Sequence, residues 1–240
     1  MTIESSKDTG SSLPTQVSPL AELSFTEENY LKCIYILSQK EENVSTRLIA
    51  KEMDSRDSSV TDMLKRLSSK GAINYIRYKG VSLSETGYAT ALHIIRKHRL
   101  WEVFLVSKLK FKWDEVHEIA EQLEHIKSLR LVDRLDEFLD FPKFDPHGDP
   151  IPDKFGNMPD HRQLPLQTAP QDQLLELTRV TNDSPEFLQY LEQTQLIIGC
   201  RFRIKQFIEF DESFMLELLD NTSLHISKKV AHHILVRIMD

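Results

Sequence analysis

Residues 45–87, "STRLIAKEMDSRDSSVTDMLKRLSSKGAINYIRYKGVSLSETG", decide the fold. In "STRLIAKEM" Ser45 stands as a helix cap, and Leu48, Ile49 and Met53 recur on one helical face. The polar turn "DSRDS" follows, and then Val60, Leu64 and Leu67 face inward along "SVTDMLKRLSSKG" until Gly71 stops the helix. Two short helices joined by a tight polar turn make a helix-turn-helix, whose second helix enters the major groove by its N-terminal part. Beyond it Ile73, Tyr75, Val81 and Leu83 alternate around Lys79-Gly80, which predicts a hairpin, the wing. Upstream, "FTEENYLKCIYILSQK" predicts a first helix with Thr26 as N-cap, two acids in its first turn, and Tyr30, Ile34 and Leu37 on its core side.

Charge supports a nucleic-acid role for this block alone. The 240-residue chain carries a net charge of −7, which argues against a general polyanion binder. Between Ser55 and Leu100, however, Arg56, Lys65, Arg66, Lys70, Arg77, Lys79, Arg96, Lys97 and Arg99 face only Asp57, Asp62 and Glu85. Ser55, Arg56, Ser58, Ser59, Thr61 and Lys65 are the candidate contacts of the recognition helix and its approach; Arg77 and Lys79 are candidate phosphate contacts of the wing. The competing reading is a three-helix unit used for protein contact. Small hydroxyls read several bases and also position on phosphate, so no sequence preference follows.

The next block is acidic. "DEVHEIAEQLEHI" (114–126) predicts a helix with His117, Glu121, Glu124 and His125 on one side and Val116, Ile119, Ala120, Leu123 and Ile126 on the adjoining, packed side. Glu121 and Glu124 would repel if both were ionised and partly buried, a cost that a divalent cation removes. The same residues also suit an ordinary hydrated surface helix. They do not match the zinc-protease helix, because Glu121 stands where its second histidine would be. Just before, "TGYATALHIIRKHRLWEVFLVSK" (86–108) predicts one long helix, on which His98 and Glu102 are four apart and share a face. Two consecutive helices thus offer facing nitrogen and oxygen donors, which moves the balance to metal binding.

Together "ENYLKCIYIL", "RKHRLWEVFL", "EVHEIAEQLEH" and "FDPHGDPIP" resemble the diphtheria toxin repressor (DtxR/MntR) family of metal-dependent transcriptional regulators, strongly to Pro152 and weakly beyond. The resemblance implies homodimers that bind operator DNA when manganese(II) or iron(II) is abundant and shut off metal-uptake genes. It implies a primary site of Glu121, Glu124 and His125, with Asn29 where the family places Asp or Met. It implies an ancillary site of His98, Glu102 and His117, completed by Asp183 and Glu186 of "NDSPEFLQYL". Manganese-responsive relatives have Glu at the position of Glu121 and iron-responsive ones Cys, and a set without thiolate suits Mn(2+) first and Fe(2+) second. Asn29 is the departure, a neutral amide in place of a charged ligand.

The expected architecture is mainly α with small β parts. Residues 1–22 read as a disordered arm, 23–86 as the winged helix-turn-helix, 87–152 as a helical metal-binding and dimerisation domain, 153–168 as linker, and 169–240 as an SH3-like β-barrel. In the last part "RFRIKQFIEF" and "SLHIS" alternate as half-buried strands. "VAHHILVRI" reads as another strand, on which His232 and His233 would point to opposite faces. "FDPHGDPIPDKFGNMPDHRQLPLQTAPQ" has the composition of a packed loop, so His147 and His161 are expected to be structural or solvent-facing rather than ligands. No run of eighteen apolar residues and no apolar core near the N-terminus is present, so neither a membrane span nor a signal peptide is expected. Cys33 and Cys200 lack metal spacing and read as buried thiols in a reducing cytoplasm. A metal-independent winged-helix dimer would share the first hundred residues. A metallohydrolase would need a nucleophile or a pocket signature that the sequence does not offer, so the protein is read as a non-enzyme.

Overall fold

The computed structural model describes residue 20 and residues 22–41, 43–76, 80–160 and 162–239. The expected arm falls almost wholly outside them, as do Arg77, Lys79 and His161. The chain forms two compact units, Met1–Ala91 and Leu92–Asp240.

The first unit contains α1 (Phe25–Ser38), α2 (Thr46–Glu52) and α3 (Asp57–Ser69), then β1 (Ile73–Ile76) and β2 (Gly80–Leu83). The cap of α1 is Ser24, not Thr26. Its hydroxyl accepts from the Glu27 amide at 3.3 Å while the Glu27 carboxylate accepts from the Ser24 amide at 2.8 Å, a reciprocal pair that satisfies two amides the helix cannot. Ser45 caps α2 as its position predicts. Val60, Leu64 and Leu67 of α3 are all fully buried. β1 and β2 pair antiparallel, Ile73 opposite Leu83 and Ile76 opposite Gly80. The Val81 amide also donates to the Val44 carbonyl at 2.9 Å, which ties the wing to the segment before α2.

Helix α4 (Glu85–Ser107) spans the length its periodicity predicts. In the second unit its Leu100 packs with Val132 and Leu135 of α6 (Leu129–Phe138) and with Ile151, while its Leu105 packs with Val116 and Ala120 at α5 (His117–Leu123). The stretch 114–126 is therefore not one helix. Before α5 the Glu115 carboxylate accepts from the Lys112 amide at 2.9 Å and closes a turn; after it Glu124 is the C-cap, and Ser128 caps α6. His125 lies beyond the helix end.

The C-terminal part is a six-stranded antiparallel sheet of SH3-like type. Its strands are β3 (Leu164–Pro165), β4 (Leu175–Val180), β5 (Arg201–Ile208), β6 (Ser213–Leu218), β7 (Ser223–Ile226) and β8 (Ile234–Ile238), in the order β3-β8-β4-β5-β6-β7. The helix α7 (Pro185–Gln193) lays Leu188 and Leu191 into its core with Leu177, Phe202, Ile204 and Leu216. A further short helix, α8 (Lys228–Ala231), occupies the start of "KKVAHHILVRI", capped by Ser227. His232 and His233 consequently sit in the turn after α8, not on a strand, and their rings lie 5.1 Å apart. Cys33 is buried and Cys200 half-buried, both as free thiols.

Candidate metal centre and DNA-binding surface

The nitrogen and oxygen donors of the acidic block all belong to the second unit. On α4, His98 and Glu102 are one turn apart, which brings His98 Nε2 to 3.0 Å from Glu102 Oε1. His117, the first residue of α5, places Nδ1 3.5 Å from the same oxygen. His98, Glu102 and His117 thus form a three-donor cluster. Asp183 adds a carboxylate 3.6 Å from His117 Nδ1, and Glu121 lies 3.6 Å from His117 Nε2. Glu124, fully buried, accepts from or shares a proton with His98 Nδ1 at 2.6 Å, so α4 and α5 are joined through one imidazole. His125 is half-buried, and Glu186 is exposed in the first turn of α7.

Two further residues enter that the sequence places in a loop. Asp145 and His147 form a second cluster with Glu102, all three buried. His147 is therefore neither solvent-facing nor remote: its Nδ1 lies 3.7 Å from Glu102 Oε2. Its Nε2 lies 2.8 Å from the Trp113 carbonyl, an acceptor only, so that nitrogen carries a proton, and Nδ1 is the nitrogen that faces Glu102. The hairpin-like turn "DPHGD" holds them there. Asp145 Oδ1 accepts from the amides of His147 and Asp149 at 2.8 and 2.9 Å, Gly148 adopts φ +85°, and the Val180 amide of β4 donates to the His147 carbonyl. Arg99 closes the turn from α4, with its guanidinium on the Pro150 carbonyl and near Asp145 and Asp149.

Electrostatics suit a cation. Burial pushes the Glu102 carboxyl up, but hydrogen bonds from His117, His147 and His98 outweigh this and hold it well below the usual carboxylate range. It is a buried anion. Burial, Asp149 and Glu102 together push Asp145 up to about 7. Burial lowers His147, but Glu102 and Asp145 overcome it and carry the imidazole up to about 9. Protons are retained here because negative charge is in excess, and a divalent cation is the other way to neutralise it.

In the first unit, Asn29 stands on α1 with its side-chain oxygen buried and, among the described residues, lacking a hydrogen-bond partner, as suits an acceptor for a cation or a donor. On α3 and its approach, Ser55, Arg56, Ser58, Ser59 and Lys65 are exposed and Thr61 is half-buried. The Thr61 hydroxyl donates to the Asp57 carbonyl, and Lys65 pairs with Asp62 at 3.0 Å, both partners largely exposed. Such an exposed pair contributes little to stability.

Comparison with known proteins matches this order of parts. Residues 22–81 match the family described as iron dependent repressor, N-terminal DNA binding domain; residues 84–153 match iron dependent repressor, metal binding and dimerisation domain; residues 164–238 match the FeoA domain. The iron-dependent repressor IdeR of Mycobacterium tuberculosis is 30% identical over 178 residues, 74% of this chain and 76% of its own. The chain belongs to the DtxR/IdeR family of metal-dependent transcriptional repressors. Among solved structures, a manganese-dependent transcriptional repressor in complex with manganese superposes with TM-score 0.80 at 31% identity, covering 89% of this chain and all of the other. The manganese regulator SloR superposes with TM-score 0.71 at 36% identity, covering 89% and 98%. Proteins of this family are repressors rather than enzymes, and they depend on a divalent metal. Among the described residues, no helix is long and apolar enough to cross a membrane.

Proposed function

We propose that this repressor responds to manganese(II), binds operator DNA as a cytoplasmic homodimer, and lowers expression of metal-uptake genes. The buried cluster around Glu102 carries the reading: imidazoles and carboxylates only, with neither Cys33 nor Cys200 among the donors. Hard oxygen with imidazole suits Mn(2+), whereas thiolate would turn the site to softer ions. Iron(II) is the second reading, favoured by the 30% identity to the mycobacterial iron-dependent repressors.

The residues proposed to hold metal are His98, Glu102, His117 and Asp183, now with Asp145 and His147, and separately Asn29 with Glu121, Glu124 and His125; Glu186 would reach in from α7. A bound divalent cation supplies the positive charge that these carboxylates lack. The residues do the rest. Glu124 orients the His98 ring, Trp113 fixes the His147 tautomer, and Asp183, ahead of α7, brings the C-terminal sheet domain into the same set of contacts. If the DNA-competent arrangement binds the cation a hundredfold better than the alternatives, the coupling amounts to about 2.7 kcal/mol. On the reading side Ser55, Arg56, Ser58, Ser59, Thr61 and Lys65 meet the major groove, and Arg77 and Lys79 of the wing meet phosphate.

The test is DNA binding by chelator-stripped protein titrated in parallel with Mn(II), anaerobic Fe(II) and Zn(II). Tightening at the lowest free concentration with Mn(II) supports the reading. Preference for Fe(II) turns it to the second, and indifference to all three metals refutes both.

A further inference from the structure

We propose that Lys70 is a positioning residue for DNA reading: by tying the end of the recognition helix to the buried carboxylate of Glu27, it sets the direction in which α3 presents its reading end. The inference rests on the proposed entry of α3 into the major groove and deepens it.

Lys70 belongs to the basic block, but its charge is directed inward. It is the C-cap of α3, and its ammonium donates to Glu27 Oε2 at 2.9 Å and to the Glu22 carbonyl at 3.0 Å. The Glu27 side chain is 3% exposed; that of Lys70 is 38% exposed, against 66% for Lys65 on the same helix. The same Glu27 oxygen accepts from the Ser24 amide at 2.8 Å, within the cap of α1. Burial raises this carboxyl, but the hydrogen bonds from Ser24 and Lys70 outweigh it, so the pair is ionic at neutral pH. One carboxylate oxygen therefore joins the start of α1 to the end of α3. A lysine so engaged is withdrawn from phosphate, and removing it leaves a buried charge unbalanced.

The end of α3 is held a second time at the start of α4. The Gly71 carbonyl accepts from the Ser84 and Thr86 hydroxyls at 2.6 and 3.2 Å, and the Ala72 carbonyl accepts from the Ser84 amide at 3.1 Å. The reading end differs: residues 54–59 are all exposed, and burial begins at Val60. Val60, Leu64 and Leu67 grip one side of α3 by apolar contact, which is non-directional and fixes its depth more than its direction. The directional bonds at residues 70–72 supply the rest. Lys70 stands twelve residues after Ser58, about 18 Å along the helix. A tilt of about 10° from that end moves Ser58 by about 3 Å, which no base-edge hydrogen bond survives. Long basic side chains on phosphate follow such a tilt, so the pin governs sequence discrimination and leaves backbone affinity alone.

The experiment uses full-length protein in excess Mn(II), with the duplex that the wild type selects from a random pool and a scrambled duplex of the same composition. Both are titrated by fluorescence anisotropy between roughly 50 and 200 mM salt. Lys70→Met keeps the aliphatic stem without the charge; Glu27→Gln keeps an acceptor for the Ser24 amide and removes the ion pair from its other end. Each should lower the ratio of selected to scrambled affinity roughly 10-fold, the size of one lost base contact, while the scrambled duplex and its salt slope remain as in the wild type. The double variant should lose no more than the worse single one, because both remove the same bond. Weaker binding of both duplexes by Lys70→Met, with the slope reduced by about one, makes Lys70 a phosphate contact and overturns the proposal. A lower melting temperature with an unchanged ratio makes the pair merely structural and overturns it too, as do additive losses in the double variant. Should Lys70→Met fail to fold, Glu27→Gln decides alone. A wild type that selects no duplex refutes the DNA-reading assignment itself; a wild type that selects one, with variants that discriminate equally well, refutes only the positioning.

Discussion

Replacing Gly148 by alanine tests whether the turn that carries Asp145 and His147 is as exacting as its geometry implies. Gly148 has φ +85°, and a Cβ there would stand 1.9 Å from the Thr178 carbonyl oxygen and 2.7 Å from the Arg179 Cα, both backbone atoms of β4. The left-handed conformation alone costs a non-glycine residue roughly 1–2 kcal/mol. Reaching an ordinary contact of 3.4 Å from 1.9 Å requires a displacement of 1.5 Å, and overpacking of this kind adds about 1–3 kcal/mol. The total is about 2–5 kcal/mol. Gly199 is the matched control: it has φ +87°, and its Cβ would meet nothing within 4 Å, so Gly199→Ala incurs only the backbone part. The consequence for the site is larger than for stability. A shift on the order of 1 Å in the turn moves His147 and Asp145 relative to Glu102, whereas metal–ligand distances tolerate about 0.2 Å. Mn(II) affinity should fall roughly 10–100-fold or more in Gly148→Ala and remain unchanged in Gly199→Ala. Urea unfolding followed by tryptophan fluorescence is well placed for this, since both tryptophans, Trp101 and Trp113, belong to the second unit. If Gly148→Ala unfolds at the same urea concentration as Gly199→Ala and binds Mn(II) like the wild type, the turn does not position the centre.

In the DNA-reading unit, Leu64→Ala empties a fully buried position and should cost about 2–5 kcal/mol, whereas Ser59→Ala, on the exposed side of the same helix, should leave the melting temperature nearly unchanged and weaken operator binding in excess metal. Arg56→Ala should weaken DNA binding of all sequences alike and lower the slope of log affinity against log salt by about one, measured by fluorescence anisotropy between roughly 50 and 200 mM salt. Burial pushes Glu27 up, but the Ser24 amide and hydroxyl and Lys70 hold its carboxyl below the ordinary value of 4.5. The stability it contributes is complete above that value and lost as pH falls through the lower folded one; Ser24→Ala should cost about 1 kcal/mol near neutral pH, and the difference should shrink in acid denaturation below about pH 4. Burial, with Lys97 and Arg96, lowers His93 from 6.5 to about 4, so the unfolded chain takes up this proton first and stability falls as pH drops from 6.5 towards 4. His93→Gln should remove this loss, on the order of 1 kcal/mol between about pH 7 and pH 5 after allowance for partial exposure, read as a urea midpoint that changes less with pH than that of the wild type.

The helix-turn-helix was legible because every residue in it signals the same thing. Ser45 caps, Val60, Leu64 and Leu67 repeat at helical spacing, Gly71 stops, and the structure buries those valine and leucine side chains completely. The long helix α4 was legible for the same reason, and with it the His98–Glu102 pair, since residues four apart on a helix must share a face. Local competition set the limits. Thr26 is a residue type that caps helices, but Ser24 forms the reciprocal pair with Glu27, and two hydrogen bonds prevail over one. In "DEVHEIAEQLEHI" the period is right and the expected length wrong, because the Glu115 side chain bonds the Lys112 backbone and ends any helix in that direction. His232 and His233 depart from the expected strand for a comparable reason: Ser227 caps a single helical turn within what reads as continuous strand.

Asp145 and His147 show where composition misleads. Proline, glycine and aspartate signal a packed loop, but they do not say whether its imidazole faces solvent or a buried carboxylate. "DPHGD" and "DKFGN", beginning at residues 145 and 153, form the same turn: Asp145 and Asp153 each accept from the amides two and four residues on, and Gly148 and Gly156 both take positive φ. A turn that satisfies its own amides can be buried without penalty. What distinguishes the two copies is the residue after the proline or lysine. In the second it is Phe155, which is exposed; in the first it is His147, which is buried against Glu102 with one nitrogen anchored. The pattern Asp-x-His-Gly-Asp thus encodes a rigid, self-satisfied turn presenting an imidazole, and such a turn is better suited to hold a ligand than a flexible loop, because its order is established before the cation arrives.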